Sequence, residues 1–238
     1  MFKQLQFDFK RMTYQKKYML ILTIISLLSI AFSAFVVYRG QSNIAVVKAS
    51  LAQFRPLYWL ICCYLICDLI MIDYHNGTIK GIIPYSSSRR IYLLSKVITS
   101  ITTCYLILLT HLCSTIFTTI VLSSQLDYLE LGSFFFLSSV GATETILLFT
   151  GLLLLSMIIT ESEPVTIGFG LGMVFIMLIL ESIQQIADYV PTMQMIQLPL
   201  TSGSEFKLGI WIAMVIVLFG IMSWIAAMQV FKRKDLFL

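Results

Sequence analysis

Charge is scarce in this chain. Of its 238 residues only 12% are Asp, Glu, Lys or Arg, against roughly 25% in a soluble globular domain, and 58% are hydrophobic. No water-soluble stretch is long enough to make a second domain. Histidine is limited to His75 and His111, which excludes a histidine-rich active site. Also missing are the Gly-x-x-x-x-Gly-Lys-Ser/Thr loop that cradles nucleotide phosphates, the His-Glu-x-x-His zinc helix and the Gly-x-Ser-x-Gly nucleophile elbow. Gly168, Gly170 and Gly172 lie inside an apolar run with no lysine after them, so they predict close helix packing through small residues instead of phosphate binding. The five cysteines, Cys62, Cys63, Cys67, Cys104 and Cys113, all fall in apolar runs and read as small hydrophobes. Cys63 and Cys67 sit one helical turn apart, but nothing nearby completes a tetrahedral metal site. The net charge of +4 does not point to nucleic acid, because the basic residues flank apolar runs.

What is present is length and apolarity together. Runs near the ~20 residues needed to cross about 30 Å of hydrocarbon recur along the whole sequence. The reading is an all-α polytopic membrane protein with six spans, at 19–37, 57–72, 97–122, 133–159, 165–180 and 208–228. Residues 1–18 place Phe2, Leu5, Phe9 and Met12 at helical spacing with Lys3, Lys10 and Lys17 on another face, the pattern of a helix in the membrane interface. No clear small-residue cleavage site follows, so the first run reads as a retained helix. A polar loop is expected up to Arg55 and Pro56, with Pro56 near the first turn of the second span. In 181–207, Ile183, Ile186, Ala187 and Val190 form a stripe that Pro191 and Pro199 break, which predicts an outward-facing surface or re-entrant segment.

Six spans put both termini on one side, and the basic residues choose that side. The far side holds only Arg39, Lys48, Arg55 and Lys207 of the 16 basic residues. Both termini and the 73–96 loop are therefore expected on the cytoplasmic side.

The most informative stretch is 73–96. It carries Asp73, then Asn76, Gly77, Thr78, Ile79 and Lys80, then Ile82, Ile83 and Pro84, then Ser88, Arg89, Arg90 and Lys96. Here the chain resembles the ABC-2 type permeases of ATP-binding-cassette exporters, particularly small Firmicute permeases linked with bacteriocin self-protection, bacitracin export and phenol-soluble-modulin export. An acidic residue, Asn-Gly-Thr-Ile-Lys, then Ser-Arg and a downstream Lys mark the cytoplasmic segment between spans two and three in that family. The Phe231-Lys-Arg-Lys-Asp235 tail also looks like the family's ending. The resemblance implies a bacterial plasma-membrane subunit whose 73–96 loop docks into a separate ATPase, which holds the ATP and Mg. It also implies a second permease subunit, identical or homologous, an amphipathic peptide, antibiotic or lipid-like cargo, and a re-entrant segment that helps close the outer side. No cofactor is expected in the chain itself. Physically, a turn at Gly77 with Ile79, Ile82 and Ile83 as anchors and a basic rim can plug into a partner. The plainer reading is that Lys80, Arg89, Arg90 and Lys96 only set topology beside anionic lipid.

Ionisable groups within spans are costly, at least ~2.5 kcal/mol each at the bilayer centre, and so mark positions of interest. Three stand out: Asp68, His111 and Glu144. Asp68 is about one turn from the end of its span and reads as structural. His111 is either a neutral donor to a neighbouring helix or part of a proton relay. Glu144 shares a helix face with Gly141 and Thr145, and is either a hydrogen-bonded lock between helices or an acid lining the translocation pathway. Two other function classes fit fewer of these residues: an intramembrane enzyme using Glu144, His111 and Asp68, and an ion-coupled secondary transporter.

Overall fold

The structure is a computed structural model that describes residues 2–39, 43–75, 89–122, 128–201 and 203–233. Those residues are all-helical: α1 (Phe2–Tyr14), α2 (Lys16–Tyr38), α3 (Asn43–His75), α4 (Arg89–Leu122), α5 (Tyr128–Thr160), α6 (Glu163–Glu181), a 3₁₀ turn (Ala187–Tyr189), α7 (Pro191–Leu200) and α8 (Gly203–Arg233). Six of these helices, α2 to α6 and α8, are long and apolar enough to cross a membrane. The chain is a multi-pass membrane protein.

Burial sorts five of the six into an inner and an outer set, with α4 between them at 39%. Within its most apolar window α5 is 67% buried and α3 61%, whereas α2 and α8 are 22% and α6 17%. In the absence of water between helices and lipid, apolar side chains on the outer set face acyl chains at no hydrophobic penalty. The inner set packs around aromatic groups, with Trp59 edge-on to Phe149 at 5.7 Å, a geometry that contributes about 0.5–1.5 kcal/mol beyond area burial. Helices α5 and α8 approach backbone to backbone, and glycine makes it possible. A Cβ on Gly151 would lie 2.5 Å from the Gly220 carbonyl oxygen, and one on Gly220 would lie 3.0 Å from the Leu147 and Leu148 backbone. Of the three glycines in α6, only Gly170 packs inside the chain, against Leu153 and Cys63. Gly168 and Gly172 face open space, so small-residue packing holds for one position and not for the others.

Four boundaries differ from the sequence reading. The second span begins far earlier than 57, because 43–55 is helical and not a loop. Val46, Val47, Ser50, Leu51 and Phe54 recur at helical spacing and are buried, while the charges of Lys48 and Arg55 are taken up by protein groups. Pro56 consequently sits in mid-helix, where it removes one backbone hydrogen bond. The loop reading of 73–96 narrows as well, since α3 runs to His75 and α4 starts at Arg89. Finally, the 183–190 stripe is a series of turns, and Pro191 opens a helix instead of ending one. Proline at the first helical position loses only an N–H that had no intrahelical partner. At the other end of the chain, Gln15 is extended (φ −82°, ψ 108°) and separates α1 from α2, so the N-terminal helix stops at Tyr14 and not at residue 18.

Candidate functional site

The central helix and the short α7 meet in a polar seam halfway down α5. At Gly141 the missing side chain admits the α7 backbone, since a Cβ there would lie 2.5 Å from the Gln194 carbonyl oxygen. One turn on, Thr145 Oγ1 donates to the Pro191 carbonyl at 2.7 Å. From α3, Trp59 Nε1 donates to the Thr192 carbonyl at 3.1 Å. Side chains of two inner helices thus tie down the first turn of α7, and Thr192, Gln194, Met195, Ile196 and Leu198 are buried as a result. α7 is thus packed inside the helical bundle. Glu144 lies between Gly141 and Thr145, is 2% exposed, and neither carboxyl oxygen has a hydrogen-bond partner among the described residues.

An ion pair clasps the same helix from its outer flank. Arg55 Nη2 is 2.7 Å from Glu181 Oε2, with both side chains largely buried. The Thr192 hydroxyl donates to the other Glu181 oxygen, and Arg55 also donates to the Met193 sulfur. α3, α6 and α7 are therefore joined through one carboxylate. Removing one partner of such a buried pair costs about 3–5 kcal/mol, because the other charge is stranded.

A second polar level lies toward the side of the termini. Asp68 accepts from Lys17 Nζ at 2.5 Å and from the Tyr18 hydroxyl at 2.9 Å, which fixes the start of α2 to α3. Lys96 Nζ donates to Asp8 at 2.9 Å, with both side chains 2% exposed, and the Ser95 hydroxyl donates to the same carboxylate at 3.3 Å. This pair fixes α1 to α4. Beyond these anchors α3 continues from Asp68 to His75 and α4 reaches back from Lys96 to Arg89. At 1.5 Å per residue both helices project about 10 Å past the anchoring level.

No protein-family model matches the chain, and no curated protein matches it. Function must be argued from the site itself.

The residues singled out in the sequence scatter accordingly. Glu144, Gly141 and Thr145 come together at the α7 seam. His111 is elsewhere, between α2, α3 and α4, with Nδ1 2.7 Å from Ser29 Oγ and its ring stacked on Phe54. Asp68 lies between α2 and α3, paired with Lys17 and Tyr18. Asn76, Gly77, Thr78, Ile79, Lys80, Ile82, Ile83, Pro84 and Ser88, with the side chains of Asp73, Arg89 and Arg90, lie outside the described residues. Lys96 does not share a loop with them, being interior to α4 and paired with Asp8. Among the described residues no group of three His, Cys, Asp or Glu is placed to hold a metal ion. Four cysteines are buried and Cys113 is exposed on α4. Sequence reasoning missed Arg55, Glu181 and Asp8. The available signal was that each is a charge beside or within an apolar run, where a partner is obligatory.

Proposed function

We propose that the chain is the membrane-spanning permease subunit of an ATP-driven exporter of the ABC-2 type. The observation that carries this reading is the sequence of the 73–96 segment, which bears the Asn-Gly-Thr-Ile-Lys pattern between two helices that continue about 10 Å past their polar anchors. Helix ends that project in this way can be reached by a soluble partner. A topology signal alone needs basic charge near the membrane and no such projection.

In this account a separate ATPase binds the loop and moves α3 and α4 together. α1 follows, because Asp8 and Lys96 tether it to α4. At the opposite end, α7 seals the pathway while Arg55, Glu181 and Thr192 hold it down. Lifting α7 off Gly141 and Thr145 opens the flank of Glu144 and presents an acid to the basic side of an amphipathic peptide, antibiotic or lipid-like cargo. Two such subunits, identical or homologous, flank the pathway. The chain hydrolyses nothing itself, and ATP and Mg belong to the partner. Purification of the tagged chain from its native membrane tests this. A nucleotide-binding subunit in fixed ratio is the expected result, and catalytic turnover by the isolated chain would contradict it.

A further inference from the structure

The N-terminal helix turns its apolar stripe inward. Leu5, Asp8, Phe9 and Met12 fall on one face of α1, where Asp8 and Met12 are 2% and 7% exposed and Phe9 packs against the core. Three contacts hold this face on α4. Lys96 Nζ and Ser95 Oγ donate to Asp8 at 2.9 Å and 3.3 Å, and Thr103 Oγ1 donates to the Met12 sulfur at 3.2 Å. The stripe that the sequence offers to the bilayer is therefore used inside the protein. What α1 presents outward is its other face, with Phe7, Lys10, Thr13 and Tyr14 all exposed and the Tyr14 ring most of all, at 84%. Phe7, Lys10 and Tyr14 recur at i, i+3 and i+7, so two rings and an ammonium group share one side of the helix.

The charge on that side is of one sign. Asp8 is the only acidic residue between Phe2 and Tyr38, against Lys3, Lys10, Arg11, Lys16 and Lys17. Its burial against Lys96 takes the one carboxylate of α1 off the surface, while Lys10 and Lys16 stay exposed. α8 ends at the same level, since Phe231 stacks on Tyr92, one turn before Lys96, and the next residue, Lys232, is exposed. Exposed rings interleaved with lysines suit the headgroup layer of a membrane, where the rings settle at the acyl boundary and the ammonium groups meet phosphate. We propose that the outward face of α1 is a docking surface for anionic phospholipid, with Phe7 and Tyr14 set into the interface and Lys10 and Lys16 on the headgroup charge. Asp8 and Lys96 are the positioning pair that decides which face of α1 is turned to the lipid. All these residues belong to one chain, and the inference does not rest on the transport reading.

The test reads the lipid beside α1 directly. The photo-crosslinking residue p-benzoylphenylalanine replaces the exposed Thr13 in the full chain, which is placed in nanodiscs of equal phosphatidylglycerol and phosphatidylcholine with identical acyl chains. Captured lipid is identified by mass. Phosphatidylglycerol is expected in about twenty-five-fold excess, since each of two lysines near an anionic surface contributes about a factor of five. Replacing both with glutamine, Lys10→Gln and Lys16→Gln, brings the ratio close to one, whereas Lys10→Arg with Lys16→Arg keeps it. The same crosslinker at the exposed Val215 of α8 captures the two lipids equally. Equal capture at position 13 overturns the proposal, and so does a preference at position 215 as large as that at position 13. A preference that the double glutamine variant leaves unchanged also overturns it. Capture of neither lipid at position 13 would set this face in water or against another protein, with the same consequence. The first comparison needs no change at either lysine, so it does not depend on a variant that folds.

Discussion

Glu144 brings a carboxyl into the centre of the bundle, and neither of its oxygens has a partner among the described residues. Such a group costs stability that an apolar residue of similar length would not, typically about 1–3 kcal/mol for an unmet polar atom. Glu144→Met is therefore expected to raise the thermal unfolding temperature of the detergent-purified chain and to lower export, the signature of a residue kept for function at the expense of stability. Glu144→Gln keeps the shape and removes the charge. If it exports as well as the parent at several pH values, the acid is structural and the pathway role is lost. Arg55 and Glu181 behave oppositely. Arg55→Met alone or Glu181→Leu alone should destabilise by about 3–5 kcal/mol, while the double variant recovers most of that loss, because neither charge is then stranded. Equal, additive losses in a thermal-unfolding cycle would mean that the pair does not hold α7.

At the level of whole helices, glycine placement decides which pairs can touch. Gly151 and Gly220 let α5 and α8 cross backbone to backbone, so Gly151→Val must separate the two helices; a loss of about 1–3 kcal/mol is expected from overpacking. Gly172→Ala enters open space and should leave unfolding in detergent unchanged. The number of helices was legible in the sequence, since an apolar run of sufficient length has few alternatives in a bilayer. Their ends were less so. Lys48 and Arg55 made 43–55 read as a loop, but Lys48 lies over the Phe134 ring and Arg55 pairs with a glutamate 126 positions away in the chain. α7 was hidden for a related reason. Its two prolines and its Thr and Gln residues suggest exposed chain, and only contact with Thr145 and Trp59 makes them interior. The Glu144–Gly141–Thr145 grouping, by contrast, followed from helical spacing alone.

For the molecule as a whole, the account divides labour between two polar levels. One fastens α7, the other fastens α1 to α4 and the start of α2 to α3. Replacing Arg89 and Arg90 with Glu, or Gly77 with Val, should leave insertion and unfolding temperature unchanged and weaken ATPase retention, through lost charge complementarity or lost turn geometry. Single-cysteine labelling in a background free of native cysteines places this division in the membrane. A cysteine at position 202 is expected to react from outside and one at position 88 from the cytoplasm, because the basic residues concentrate on the side of the termini. The most direct test is ATP hydrolysis by the complex purified through a tag on this chain. The account predicts that a nucleotide-binding subunit elutes in fixed ratio with sustained ATPase activity, and that both fall together when Arg89 and Arg90 are replaced by Glu. Elution of a monodisperse chain with no ATPase subunit, from membranes in which export is active, would contradict it.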